Sequence, residues 1–252
     1  RSWALRWSRN VMPKEALPLA EIRWVKASDT IDWKELQEWT SNVESGGRIA
    51  ELLIIDDEHS VVTYRSKFHQ PKGSLNNPFR ELDNEQRRSI AHAWSDSRET
   101  SEGTWLDIDP GNWHVNGIGI RLEGGIWLTE IEGRIVSRII NPTMPNPTGK
   151  LGQMVELLAD LLSKGVAIRS GFKYGTRWRA YAGAVGGEHA PWLIVPIEEA
   201  PTNWGEACLS ARLAANVNKL WLCASVTESK EWRYLAIERP PSDSRWTNPV
   251  KH

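Results

Sequence analysis

Residues 161–197 read LLSKGVAIRSGFKYGTRWRAYAGAVGGEHAPWLIVPI. The stretch opens on the end of an amphipathic helix and then changes period. Thr148 stands as the N-cap of that helix, and Leu151, Met154, Val155, Leu158, Leu161 and Leu162 repeat at helical spacing. Gly165 supplies the stop. Residues 166–170 then read as a strand, followed by a Gly-rich turn and strands over 176–183 and 190–197. A helix over 203–217 and strands over 219–225 and 231–238 complete this half. Helices and strands mixed in this way predict an α/β (mixed α+β) fold with a central mixed sheet.

Working back towards Arg1, residues 16–25 read as a strand. TIDWKELQEWTSNV (30–43) reads as a helix, with Thr30 or Asp32 as cap and Trp33, Leu36 and Trp39 on its apolar face. IAELLIIDDEHSVVTYRSKF (49–68) reads as strand, acidic turn (Asp56, Asp57, Glu58) and strand. Residues 71–104 are polar and punctuated by Pro71, Gly73 and Pro78, which predicts a linker with one short helix near 83–95. Residues 105–140 read as short strands broken by Gly and Pro.

Two segments resemble each other. Trp33 and Trp204 each open a helix followed two residues later by Glu, and Arg48 and Lys219 each lie 15 residues further on. Tyr64 aligns with Tyr234, Trp7 with Tyr181 and Glu15 with His189. The expected organisation is therefore a degenerate copy (1–70), a linker (71–104), a small subdomain (105–164), a catalytic domain (165–241) and a polar tail (242–252).

Net charge is −1, from 31 basic and 32 acidic residues, which excludes a uniformly basic nucleic-acid binder. The charge is uneven: residues 1–126 carry −4 and residues 127–252 carry +3. The stretch 161–187 has no acid but holds Lys164, Arg169, Lys173, Arg177 and Arg179, a local site for a polyanion. A metal-dependent nuclease would want paired carboxylates near a lysine, and this stretch has none. Fifteen tryptophans stand against four tyrosines and three phenylalanines, so indole rings are expected to fill the core, with base stacking as the alternative. Cys208 and Cys223 form no C-x-x-C pair, and no apolar run is long enough to span a bilayer. A soluble protein of the reducing cytoplasm is expected, without signal peptide or membrane partner. Because the chain opens on Arg1, its true N-terminus is expected to be missing.

Tyr181, His189 and Lys219 can do general acid–base work and stabilise an anion without metal, and RNA self-cleavage needs these three roles. A base takes the 2′-OH proton, an acid protonates the 5′-oxygen, and a cation offsets charge on the pentacoordinate phosphate. Tyr serves as base only beside positive charge, which Arg177, Arg179 and Lys219 could supply.

Residues 161–197 and 203–226 resemble the tRNA-splicing endonuclease (archaeal-type tRNA-intron endonuclease) catalytic domain. The resemblance rests on Gly171, Lys173, Tyr174, Gly175, Tyr181, His189, Arg212, Lys219, Tyr234 and Arg239; Trp178 stands where the family commonly has Phe. It implies Tyr181 as general base, His189 as general acid and Lys219 as transition-state stabiliser. The reaction would need no metal or other cofactor, would cut precursor tRNA at bulge–helix–bulge motifs, and would leave 2′,3′-cyclic phosphate and 5′-OH ends. It also implies that Arg212 grips a bulged base together with Arg239 or Arg233. The acidic turn Asp56–Glu58 would dock into a basic cleft during assembly. One active copy per chain then requires two chains, as a homodimer or with another subunit. The alternative reading is a non-catalytic structural or RNA-binding subunit of the same complex.

Overall fold

In a computed structural model of the chain, residues 3–8 and 11–240 are described; the predicted tail lies outside them. The elements run β1 (Trp3–Arg6), β2 (Ala20–Lys26), α1 (Trp33–Ser45), β3 (Ile49–Ile55), β4 (Val61–His69), α2 (Asn84–Ser95), β5 (Arg98–Thr100), β6 (Gly103–Leu106), β7 (Ile120–Leu122) and β8 (Gly125–Leu128). They continue through α3 (Glu130–Ile140), α4 (Gly149–Ser163), β9 (Ala167–Ser170), β10 (Trp178–Tyr181), β11 (Trp192–Pro196), α5 (Trp204–Asn216), β12 (Leu220–Val226) and β13 (Trp232–Glu238). This is the expected mixed α/β fold. Two compact units form. Among the described residues the first draws on 3–8, 11–70, 174–177 and 192–240, and the second on 71–173 and 178–191.

In the first unit the strand order is β1-β2-β3-β4-β13-β12-β11. The pairs β2–β3 and β11–β12 are parallel and the others antiparallel. Helices α1 and α5 start alike. The Asp32 carboxylate accepts from the Glu35 amide at 3.0 Å, and the Asn203 side chain accepts from the Glu206 amide at 3.0 Å. They also end alike: Gly47 and Asn218 take left-handed φ values of 69° and 54° before the next strand. Adding 171 to a residue number in α1-β3-β4 thus gives its counterpart in α5-β12-β13 (Trp33 and Trp204, Gly47 and Asn218), while β2 and β11 are related by 172, since Ala20 pairs with Ile49 and Trp192 with Leu220. Both helices pack on one face of the sheet over Leu52, Tyr64, Cys223 and Leu235, with Trp33 and Trp221 ring centroids 5.8 Å apart.

The two segments meet about a local two-fold. Ser66 of β4 pairs with Ile237 of β13, its own counterpart. The Ile31 amide donates to Thr202 O at 2.9 Å, again a residue and its counterpart. One alignment from sequence is corrected by this register. Tyr64 pairs with Leu52, and Leu235 pairs with Cys223, so the counterpart of Tyr64 is Leu235 rather than Tyr234. Tyr234 sits one residue away and therefore points to the opposite face of the sheet.

The second unit contains an antiparallel sheet of order β5-β6-β8-β7 and the antiparallel pair β9–β10. Helix α3 packs on α2, α4 and strands β6 and β8. The sequence reading had only strands here. Ile135, Val136 and Ile139 are β-branched, which favours strand locally, but all three are buried on one helical face. A capping box starts the helix: the Thr129 amide donates to Glu132 at 2.8 Å, and the Glu132 amide donates back to the Thr129 hydroxyl at 3.4 Å. Helix α4 follows the expected apolar pattern and stops at Gly165 (φ 73°), although Thr148 caps it without a side-chain hydrogen bond.

Residues 71–104 are not a linker. They supply α2 and β5, and residues 73–75 are stitched into the unit by backbone bonds. The amides of Gly73, Ser74 and Leu75 donate to Lys164 O, Ala182 O and Gly165 O at 2.9, 2.7 and 3.1 Å. A Cβ on Gly73 would lie 2.0 Å from Gly165 O, so only glycine allows this approach. Among the described residues no helix is long and apolar enough to cross a membrane.

Candidate functional site

In the second unit, β10 ends on Tyr181, which is buried against Ala167 of β9, Ala190 and Leu75. The loop after it turns at Gly186, whose φ of 99° is open only to glycine at low cost. It returns as Glu188, His189 and Ala190, with Val185 and Glu188 bridged. Ala190 is 3% exposed and His189 beside it is exposed. The small residue after the histidine packs in the Tyr181 cluster, while the His189 side chain stays in solvent. Leu75, from the segment read as linker, closes the same cluster.

Positive charge lies beside Tyr181. The Arg179 guanidinium carbon is 5.9 Å from the Tyr181 ring centroid. Arg169 is the direct cross-strand partner of Arg179. Burial pushes the Arg169 pKa below its ordinary value, and Glu132 and Tyr181 act against that shift. Arg177, also offered by the sequence as a cation for Tyr181, belongs to the first unit and is bonded to Glu199.

In the first unit, Lys219 follows left-handed Asn218 and immediately precedes β12. Its ammonium lies 5.6 Å from the Tyr174 ring centroid, so the aromatic of the GFKYG turn (171–175) orients the lysine. At the equivalent position Arg48 is bound to Glu21 at 3.1 Å. Trp7 donates its indole N–H to Ala16 O at 2.9 Å, and Glu15 accepts from the Met12 amide at 3.0 Å, so both close a local loop.

Arg212 is exposed on α5 and lines a cavity of about 140 Å³ with Asp56, Ser60, Tyr64 and Cys208. The Tyr64 hydroxyl donates to Cys208 O at 3.4 Å and faces Arg239. Arg212 and Arg239 therefore border the same Tyr64–Cys208 contact. Arg233 is turned towards α1 instead, donating to Ser41 at 3.4 Å with its guanidinium 5.5 Å from the Phe68 ring. Burial raises the Cys208 thiol to about 11, which leaves it protonated and unreactive at neutral pH.

The acidic turn lies between β3 and β4, with Asp56, Asp57 and Glu58 all exposed. Asp56 spends its carboxylate on the turn itself, accepting from the amides of Glu58 and Ser60 at 3.0 and 2.8 Å. Asp57 and Glu58 carry the charge that projects.

Residues 153–234 match the tRNA intron endonuclease, catalytic C-terminal domain. A tRNA-splicing endonuclease of Thermoplasma volcanium is 34% identical over 88 residues, which cover 35% of this chain and 29% of that protein. A tRNA-splicing endonuclease of Picrophilus torridus is 23% identical over 219 residues, covering 87% of this chain and 63% of that protein. The chain thus spans under two thirds of the length of either relative. Residues 153–234 carry most of α4, the strand ending in Tyr181, the loop to His189, and Arg212 and Lys219, and this stretch is similar to the catalytic C-terminal domain of the tRNA intron endonuclease family.

Proposed function

We propose that this chain is an endoribonuclease that excises introns from precursor tRNA at bulge–helix–bulge motifs. The observation that carries this reading is the catalytic-domain match over residues 153–234, which encloses Tyr181, His189 and Lys219. Tyr181, as phenolate, removes the 2′-OH proton, and the 2′-oxygen attacks the adjacent phosphorus. The bond from phosphorus to the 5′-oxygen breaks, and His189 delivers a proton to that oxygen. Lys219, oriented by Tyr174, offsets the charge of the pentacoordinate phosphate. The products are a 2′,3′-cyclic phosphate and a 5′-OH, formed without metal or cofactor.

Arg212 and Arg239 grip a bulged base between planar guanidinium groups. Their common border on Tyr64 and Cys208 supports Arg239 over Arg233 as the second arginine.

The decisive experiment is incubation of the purified chain with a bulge–helix–bulge RNA in EDTA, with end-group analysis. Cyclic-phosphate and 5′-OH ends are expected. Intact RNA, or cleavage only after divalent metal is added, overturns the reading.

An intron has two cut sites, and each chain supplies one set of Tyr, His and Lys. We therefore assign a homodimer in which β2-α1-β3-β4 is a degenerate, structural copy. Asp57 and Glu58 dock into a basic cleft of the partner while Asp56 holds the turn. Asp57→Lys with Glu58→Lys is expected to halve the mass read by light scattering while leaving the circular dichroism spectrum intact. An unchanged dimer mass contradicts the docking role.

A further inference from the structure

Arg169 and Arg179 share the Tyr181 face of the β9–β10 pair, and the chemistry above uses them at most as positive charge beside the phenol. Arg169 and Arg179 are directly opposite each other in the antiparallel register. Tyr181 lies two residues beyond Arg179 and so shares its face. Like charges opposite one another across a strand pair are unfavourable unless something neutralises them. Arg121, on β7, adds a third cation: both it and Arg179 lower the Arg169 pKa, against the pull of Glu132.

Glu132 is a weak counterweight, because its carboxylate is already committed. It accepts from the Gly119 amide at 3.2 Å and from the Thr129 amide and hydroxyl at 2.8 and 3.0 Å. One engaged carboxylate thus faces three guanidinium groups. The arginines are nevertheless held in place. Arg169 donates to Ile168 O and Gly119 O at 2.6 and 2.9 Å. Arg121 donates to Trp113 O and Asn116 Oδ1 at 3.2 and 2.9 Å. Arg179 donates Nε–H to Ser170 O at 2.9 Å, and its two terminal nitrogens have no protein partner among the described residues. A pre-oriented guanidinium cluster with little carboxylate opposite it, half-buried at Arg169 and open to solvent at Arg121, can receive an anion, and its fork geometry matches the paired oxygens of a phosphate.

We propose that Arg169 and Arg179, with Arg121 beside them, bind a phosphodiester of the RNA backbone that neighbours the scissile phosphate, and so position the strand against Tyr181. This rests on the ribonuclease reading above. The ligand is a nucleic-acid phosphate, recognised by charge and fork geometry rather than by base. The role is positioning, since no proton passes through these groups.

The test measures binding of the full chain to a bulge–helix–bulge RNA carrying 2′-deoxy nucleotides at the cleavage sites, over a range of salt. Each phosphate contact to a single strand contributes about 0.7 to the slope of log affinity against log salt. Arg179→Met is expected to flatten the slope by about that amount and to weaken binding on the order of tenfold at low salt. Arg179→Lys, which keeps the charge and loses the fork, is expected to restore the slope while regaining only part of the affinity. Thermal unfolding alongside each titration separates loss of contact from loss of fold; Arg169, with two structural carbonyl contacts, serves as the second site through Arg169→Lys. If Arg179→Met keeps the wild-type slope and affinity while the wild type still cleaves unmodified RNA, this assignment fails and the ribonuclease reading survives. If the wild type neither binds nor cleaves, both fail.

Discussion

Tyr181→Phe, His189→Ala and Lys219→Ala are each expected to lose cleavage by about 10²–10⁴-fold, measured as single-turnover rates in EDTA. Affinity for the 2′-deoxy substrate is expected to fall far less than the cleavage rate, because proton transfer and charge development belong to the transition state. Tyr181→Phe is the most telling of the set. It removes one oxygen from a ring packed on Ala167, Ala190 and Leu75, so folding is preserved and only proton transfer is lost. Because the three groups would act on one transition state, double variants are expected to fall little below the worse single variant. A Lys219→Ala protein cleaving at the wild-type rate would remove the basis for the mechanism. Tyr174→Leu separates orientation from charge: it keeps Lys219 but removes the ring 5.6 Å from its ammonium, and a partial loss of rate is expected.

Trp33→Ala is expected to be the most destabilising change in the first unit, by about 3–5 kcal/mol in urea unfolding. At roughly 2–4 °C per kcal/mol for a domain of this size, Tm should fall by about 10 °C. Trp33 is buried at the start of α1, packs against Trp221 and donates its indole N–H to Pro201 O at 2.8 Å. One side chain thereby ties the β2-α1-β3-β4 segment to its counterpart, at the point where Ile31 and Thr202 also bond. Trp33→Phe keeps most of the buried area and gives up the hydrogen bond, and is expected to cost only about 1 kcal/mol. A Trp33→Ala protein within 1 kcal/mol of wild type would mean that the two segments hold together without this contact.

Local elements were legible where one signal dominated. Helix α4 has an unbroken apolar face and a glycine stop, and α1 and α5 have caps followed by spaced tryptophan, leucine and alanine. Tyr181, His189 and Lys219 stand out in the sequence as candidates only through the family resemblance around the glycine-rich loop and the helix end, since each residue type alone is common in packing or solvated roles. Helix α3 was not, because its buried face is isoleucine and valine, although the Thr129 and Glu132 capping box was present to be read. Residues 73–75 looked like linker because their partners, Lys164, Gly165 and Ala182, are far away in the chain, and polar composition says nothing of backbone pairing at that distance.

The sequence by itself determined the starts and stops of α1, α4 and α5 and that Trp33 and Trp204 open matching helices. Tertiary structure alone decided which way the strand side chains point. Strand side chains alternate with a period of two, so a displacement of one residue moves a group to the other face. That is why Tyr64 answers to Leu235 and not to Tyr234, and it is fixed by pairing with Leu52 and Cys223. Arg233 lies in β13 and Arg239 just past its end, so strand parity does not distinguish them. Their surroundings differ only in the folded chain: Arg233 donates to Ser41 of α1, whereas Arg239 meets Tyr64 of β4. The pairing of Arg169 with Arg179 beside Tyr181 is of the same kind, a neighbourhood created by strand register between residues that the sequence holds ten positions apart.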